Sequence, residues 1–285
     1  AGVRGATRAQ RAADTCTEPE RSLSPSTAGG PTIDRIKKNG YLTVGVDQSS
    51  YRWGYLDPNK RGDSDPEGFD IDLVHAIADQ ILGRNAQVVY RAIPTNQRIS
   101  AIQNGNVDMV VRTMTINCAR LKEVAFSTAY FTTGQQILTP EKTDITGYNH
   151  TLAGKRVCSA KGSTALDRLK DDSFGADIST QVPNQLDCLV RLQLGEVDAV
   201  VTDSALAASQ AAQDPTVKLT GAPFTTEYYG VAMKKDADDL VRRVNFILEE
   251  YRRSGWQTSY DKWLKADLEG PGQGPVRAPD PKYRD

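Results

Sequence analysis

Two stretches well separated along this chain repeat one pattern: Ala101-Ile-Gln-Asn-Gly-Asn-Val-Asp-Met-Val-Val-Arg-Thr113 and Arg191-Leu-Gln-Leu-Gly-Glu-Val-Asp-Ala-Val-Val-Thr-Asp203. Gln103, Gly105, Val107, Asp108, Val110 and Val111 are matched in register by Gln193, Gly195, Val197, Asp198, Val200 and Val201. Each copy predicts the end of a helix, a glycine stop and a short apolar run suited to a buried parallel strand. The copies differ at the strand exit, where ligands sit in open α/β sheets. The first leaves into Arg112, Thr113 and Thr115, the second into Thr202 and Asp203. One lobe thus offers cationic and hydroxyl groups and the other a carboxylate, a pair of half-sites for a zwitterion.

Around these units the apolar spacing alternates between helix and strand. A short helix Ile33–Asn39 stops at Gly40 and leads into a strand Tyr41–Val46. Helical spacing follows over Phe69–Leu82, then strand Ala86–Ala92, helix Asn96–Asn104 and strand Val107–Val111. A second series runs through strand Arg156–Ser159, helix Ala165–Lys170, strand Asp177–Gln181, helix Leu186–Leu194, strand Val197–Thr202 and helix Ser204–Ala212. Such βαβ order indicates parallel sheets with right-handed crossovers. A later strand, Tyr229–Met233, precedes helices Leu240–Ser254 and Trp256–Leu264. Extended segments at about 135–141 and 223–230 are placed to cross between the series, so the second lobe is inserted in the first. The expected division is an arm at 1–32, lobe 1 at 33–137 plus 227–268, lobe 2 at 138–226 and a disordered Pro/Gly-rich tail at 269–285.

A chain of 285 residues with 39% hydrophobic and 25% charged residues can bury one large core or two moderate ones. The net charge of −1 argues against nucleic acid or an acidic membrane as the main partner. No apolar run approaches the roughly 20 residues that span a bilayer. Residues 1–30 lack the apolar core of a signal peptide, so any such leader is expected upstream of them. Cys16, Cys118, Cys158 and Cys188 have no metal-ligand spacing, and neither metal nor cofactor is expected. Cys158 and Cys188 flank a βαβ unit and can bridge within lobe 2, leaving Cys118 to tie down Cys16. The alternative is four buried thiols in a cytosolic protein. Two disulfides would imply an oxidising, extracytoplasmic setting.

At about residues 33–265 the chain resembles the polar amino-acid-binding proteins of ABC importers, solute-binding family 3. The resemblance rests on Leu42-Thr-Val-Gly-Val46, Glu67-Gly-Phe-Asp-Ile-Asp-Leu73, Gly105-Asn-Val-Asp108, Thr113-Met-Thr-Ile-Asn-Cys-Ala-Arg120, Val124-Ala-Phe-Ser127 with Tyr130, Lys161-Gly-Ser-Thr164, Gly195-Glu-Val-Asp198 with Thr202-Asp203, and Gly255-Trp256 with Lys262-Trp263. Each is weak alone; their order and number carry the argument. The cysteines and Pro-rich flanks look most like the glutamate/glutamine-binding lipoproteins of actinobacteria. The resemblance implies an α/β, two-lobe periplasmic-binding-protein-like fold of type II with two hinge crossovers. It also implies a cell-surface location, a lipid-bearing cysteine upstream of residue 1, and a monomer that meets a membrane ABC permease or a sensor membrane protein. Cys16 is a poor lipobox cysteine, because Ala12-Ala-Asp-Thr15 lacks an apolar stretch.

By the same resemblance Arg120 holds the ligand α-carboxylate, for which a planar guanidinium is suited. Thr113 and Thr115 assist on the same strand exit. Asp203 accepts the ammonium, although an Asp at this point is also a common helix N-cap. Lys161-Gly162-Ser163-Thr164 opens a helix whose free N–H groups suit a carboxylate, with Ser163 and Thr164 as contacts or as an ordinary cap. Relatives read the distal side-chain group at the positions of Asp47 and Arg98, and Arg112 stands where many have a small residue. Arg98 and Arg112 favour glutamate or aspartate; Asp47 either neutralises one of them or accepts from a glutamine amide. Gln185 is a further lobe 2 contact. Tyr51, Trp53 and Tyr130 are candidate walls, with core packing the alternative, and the Tyr228–Tyr229 pair is assigned to the hinge.

The leading function is therefore binding with lobe closure. An enzyme on this scaffold, as in dehydratases that resemble the family, needs a general acid or base in the cleft. The candidates are His75, His150 and, near the hinge, Glu227. A sensor domain differs from a transport protein only in its partner.

Overall fold

In the computed structural model, which describes residues 16–60, 65–270 and 274–285, the apolar runs become the middles of two five-stranded sheets, one per lobe. In lobe 1 the order is Gln87–Ala92, Tyr41–Val46, Met109–Val110, Ala232–Met233, Ala125–Phe126. The first three are parallel and the last two antiparallel. In lobe 2 the order is Gln181–Val182, Val157–Ala160, Ala199–Asp203, Gln135–Pro140, Val217–Thr220, again with three parallel strands followed by antiparallel ones. Helices cover the sheets because parallel strands must be buried on both faces. Phe69–Leu82 packs Phe69, Leu73, Ile77 and Ile81 into the lobe 1 core at helical spacing.

The repeated motif occupies the same place in each sheet, the third strand. Gly105 and Gly195 stop their helices at φ +74° and +72°, the left-handed conformation that glycine adopts without penalty. Asp108 accepts the N–H of Thr43 at 2.8 Å, and Asp198 that of Arg156 at 2.8 Å. Each carboxylate also holds a guanidinium, Arg35 at 2.9 Å and Arg156 at 3.0 Å. The shared letters are scaffold.

Three expectations are corrected. The first crossing lies earlier than 135–141: Phe131–Thr133 pairs antiparallel with Glu227–Tyr229 in a ribbon between the lobes, while Gln135–Pro140 is already inside the lobe 2 sheet. Gly134 joins them, and the Thr225 backbone passes so close that a Cβ there would lie 2.2 Å from its carbonyl oxygen. The strand expected at Asp177–Gln181 is reduced to Gln181–Val182 plus an isolated pairing of Asp177 with Arg156. The tail from 274 is packed, not disordered. Arg284 donates its N–H to Ser22 at 2.9 Å, Arg242 pairs with Asp285 at 2.6 Å, and Val276 and Ala278 lie on the lobe 1 core. An extended Pro-rich segment carries no periodicity and takes its hydrogen bonds from other elements, so a pattern reading passes over it. The arm is its partner: Ser22 donates its N–H to the carbonyl of Lys282 at 3.0 Å and Ser24 its N–H to Asp285 at 2.6 Å. The Ser22 hydroxyl donates to the carbonyl of Phe126 at 2.7 Å, and Asn245 donates to Ser22 and Leu23. Residues 1–15 of the expected arm and 271–273 of the expected tail lie outside the described residues. Disulfides join Cys16 to Cys118 and Cys158 to Cys188.

Candidate functional site

The lobes meet across a narrow cavity. From lobe 1 it is lined by Asp47, Ser50, Thr95, Arg98, Arg112, Thr113, Thr115 and Arg120; from lobe 2 by Ser163, Thr164, Ala165, Gln185, Thr202, Asp203 and Leu206. The lobes touch around it: Thr95 donates its N–H to Pro183 at 3.1 Å, and Arg112 donates to Asn184 Oδ1 at 3.1 Å.

The two strand exits present their groups by different backbone means. In lobe 1 the chain turns at Thr113, which adopts φ +43°, a strained value for a β-branched residue. The turn is held by Asp70, which accepts the Thr113 N–H at 3.0 Å and the Tyr130 hydroxyl at 2.8 Å. Burial raises the Asp70 carboxyl to about 7 in spite of those bonds. In lobe 2 the strand runs straight into the Ser204–Gln213 helix. Asp203 is its N-cap residue but makes no side-chain cap hydrogen bond. Its carboxylate accepts the Tyr229 hydroxyl instead. Burial pushes its pKa well above the carboxylate range, and the neighbouring Glu227 pushes it further. An ammonium group beside it would favour the ionised form.

Arg120 sits in the short helix Cys118–Leu121, capped by Asn117 Oδ1. Its guanidinium donates to the carbonyl of Thr115 at 2.7 Å and, across the cleft, to that of Gly162 at 2.9 Å. Arg98 donates Nε to the carbonyl of Thr95 at 3.0 Å and Nη1 to that of Arg112 at 3.1 Å. Burial, then the nearby Arg120 and Arg112 charges, lower the pKa of Arg98. Arg112 is paired with Asp47 at 3.2 Å. Among the described residues neither Arg98 nor Arg120 has a carboxylate within the 4.0 Å of an ion pair.

Other expected contacts are already engaged. Ser163 caps the Thr164–Asp171 helix, accepting from Leu166 and donating to Ala160. Thr115 and Thr164, one from each lobe, both donate at 2.8 Å to the same oxygen of Glu227, whose other oxygen takes Gln135 at 2.6 Å. Glu227 is thus a carboxylate at the hinge that fastens both lobes. Sequence reading named it only as a possible acid, because nothing in its local pattern shows which hydroxyls the crossover brings to it.

The aromatic walls are corrected. Trp53 is fully buried and packs edge-on against Phe69, Phe131 and Tyr229 at 5.3, 5.0 and 5.7 Å, so it is core. Tyr130 is core as well, with its hydroxyl on Asp70. Tyr51 and Trp53 share no extended strand: residues 51–53 form a turn. Tyr51 faces Tyr55 and the Arg52 guanidinium and lines a small adjoining pocket with Leu186, Leu206 and Ser209. His75 is bonded to Tyr90 on the helix surface, and His150 opens a loop turn; neither lines the cavity. Thr95, Ser50 and Leu206 were missed, having only generic sequence signals.

Residues 42–266 match the family model of bacterial extracellular solute-binding proteins, family 3. The chain is 33% identical over 237 residues to an ABC transporter glutamine-binding protein of Bacillus subtilis, covering 83% of this chain and 85% of that protein. It is 31% identical over 251 residues to a glutamate-binding protein of Corynebacterium efficiens, covering 84% and 83%. Among solved structures, an ancestral arginine-binding protein bound to glutamine superposes with a TM-score of 0.72 at 34% identity, covering 79% of this chain and 98% of that one. These likenesses and the two sheet-containing lobes make the fold that of type II periplasmic amino-acid-binding proteins.

Proposed function

The chain belongs to the bacterial extracellular solute-binding proteins of family 3, and on that premise we propose that it captures an acidic or polar L-amino acid outside the membrane, with glutamate or aspartate favoured over glutamine and asparagine. The relatives named for glutamine and glutamate binding support the ligand class. The observation that carries the preference is the charge pattern of the cleft. Three arginines line one cavity, and among the described residues only Arg112 has a carboxylate partner.

In this reading Arg120 engages the ligand α-carboxylate, with the opening turn of the Thr164–Asp171 helix adding its positive end from lobe 2. Asp203 takes the ammonium. Thr113 supplies contacts from its turned backbone, and Thr115 and Thr164 steady the closed form through Glu227. Arg98, Arg112, Asp47 and Gln185 face the side chain. A ligand that bridges Arg120 and Asp203 ties together groups on different lobes, so it shifts the population from open to closed. The role is binding, without a reaction. The closed monomer delivers its cargo to a membrane ABC permease, and a lipid anchor on the precursor holds it at the outer surface.

Calorimetric titration of ligand-stripped protein with L-glutamate, L-aspartate, L-glutamine and L-asparagine tests the ligand, and small-angle scattering tests closure. Binding should be tightest for the acids and should reduce the radius of gyration. Absence of heat with all four, together with unchanged scattering, would remove the reading.

A further inference from the structure

The guanidinium assigned to the ligand α-carboxylate has few ties of its own. Arg120 donates to two backbone carbonyls, Thr115 and Gly162, and the second bond exists only with the lobes together. Its helix, Cys118–Leu121, has four residues, far below the roughly 12–15 at which a helix holds itself in water. Where Arg120 sits therefore depends on what fastens that helix, and its first residue is bonded to Cys16. The arm beyond Cys16 is itself anchored. Asn245, fully buried in the Asp238–Tyr251 helix, donates to Ser22 Oγ at 2.9 Å and to the carbonyl of Leu23 at 2.7 Å. Arg242 of the same helix donates to the carbonyl of Ser24 at 3.0 Å. The bridge thus ties a four-residue helix, through the arm, to one of the long helices of lobe 1. The two bridges also differ in access: Cys158 and Cys188 are 0% exposed, whereas Cys16 and Cys118 are both partly exposed.

Resting on the amino-acid reading above, we infer that the Cys16–Cys118 bridge positions Arg120 for the α-carboxylate and is a redox-sensitive control of affinity, which a dithiol can open while both lobes stay folded. The chemistry is thiol–disulfide exchange. One thiolate of the dithiol attacks a bridge sulfur; the Cys16–Cys118 bond breaks and a mixed disulfide forms. The second thiolate then attacks the reductant's own sulfur in that mixed disulfide and releases the other cysteine. Two electrons pass to the protein, and the two cysteine thiolates take up the two protons that the dithiol gave up. Cys16 and Cys118 end as thiols, and the dithiol leaves as a disulfide. The Arg120 helix keeps its Asn117 cap but loses its tie to the arm. Because the α-carboxylate is common to all amino acids, acids and amides should lose affinity alike.

In the test, the folded full chain is treated with dithiothreitol, alkylated with iodoacetamide and mapped by mass spectrometry. Its affinities for L-glutamate and L-glutamine are measured by calorimetry beside those of untreated protein and of the double variant Cys16→Ser, Cys118→Ser. Label should appear on Cys16 and Cys118 and not on Cys158 or Cys188. Affinity for both ligands should fall by the same factor, about threefold or more. In an Arg120→Lys background, opening the bridge should cost much less, because the group it positions has been replaced. Unchanged affinity, an equal loss in the Arg120→Lys background, or labelling of all four cysteines together overturns the inference and leaves the amino-acid reading intact. Should the serine pair fail to fold, a dithiothreitol titration of wild type decides. By reciprocity a saturating ligand must raise the concentration needed for half-reduction of the bridge, and no shift overturns its role. Wild type that binds no amino acid overturns the reading and this inference with it.

Discussion

The two copies of the repeated unit share a scaffold and part company within two residues of it. In both, a left-handed glycine ends a helix and an aspartate stitches the new strand to its neighbour, Asp108 to Thr43 and Asp198 to Arg156. Beyond the strand, lobe 1 turns sharply at Thr113 and exposes Arg112 and Thr115. Lobe 2 continues straight and presents Asp203 at the mouth of a helix that it does not cap. The lesson is about where chemistry is stored. A strand pair must be closed in the same way in any lobe, so its letters repeat; a strand exit has no such duty, so there the copies are free to differ in charge.

If the exits form complementary half-sites, removing the carboxylate of lobe 2 should have the largest effect. Asp203→Ala should reduce affinity for every amino acid by at least about 30-fold, because a desolvated ammonium without its partner costs roughly 2–5 kcal/mol. Calorimetry with both an acid and an amide checks it. Ordinary affinity in this variant would assign the ammonium elsewhere and break the comparison.

The disulfides extend the same contrast. Cys118 opens the short helix that carries Arg120, and Cys188 lies in the helix that begins with Gln185, so each lobe has a covalent tie beside one of its cleft residues. They differ in span: the bridged cysteines are 102 residues apart in lobe 1 and 30 apart in lobe 2. In the chain-entropy model, loops of those lengths are worth about 4.7 and 3.6 kcal/mol. Replacing Cys16 and Cys118 by serine should therefore lower unfolding stability more than replacing Cys158 and Cys188. Urea unfolding of the two double variants measures the difference, and the opposite order would show that the arm contributes little to lobe 1.

How much of this was legible can be judged residue by residue. The two lobes were legible because apolar periodicity and glycine stops are local and occur twice. Arg120, Asp203, Arg98 and Arg112 were brought forward by position in a resemblance, and all four line the cleft. Trp53 shows the limit: alternation with Tyr51 fixes a shared face only for an extended strand, and the segment is a turn. Whether an aromatic faces a cavity or a core depends on what packs against it, and Phe131 and Tyr229 come from distant crossovers. Glu227 was equally opaque, since its partners Thr115, Thr164 and Gln135 lie 112, 63 and 92 residues away. The tail was misread because its order comes from docking on the arm, with no pattern of its own.

Asp70 has no counterpart at the lobe 2 exit among the described contacts, and its environment gives a pH signature confined to lobe 1. Its carboxyl is raised from the ordinary 3.8 to about 7 in the folded chain, so the native state holds a proton that the unfolded chain releases. The sign follows: this contribution is fully present below about pH 4 and is lost as pH rises toward and through 7, at up to about 1.4 kcal/mol per pH unit. Asp70→Asn keeps an acceptor for the Thr113 N–H but cannot titrate. Its stability should fall less steeply than that of wild type between those limits. Parallel profiles in chemical denaturation would mean that Asp70 is ionised throughout and that the Thr113 turn is held by a charge.

The smallest expected effect examines the shared half of the repeat. Asp108→Ala and Asp198→Ala each remove a strand-to-strand acceptor and a partly exposed ion pair, so each should cost about 1–2 kcal/mol of unfolding stability. Neither residue lines the interlobe cavity, and affinity should stay within about twofold of wild type in both. The Asp108 side chain is 8% exposed against 34% for Asp198, and water replaces lost hydrogen bonds more readily at the more exposed site. Lobe 1 should therefore suffer the larger loss. Similar losses would mean that exposure does not grade the two sites, whereas a change in ligand affinity in either variant would place recognition inside the repeat itself, where the shared letters leave room only for scaffold.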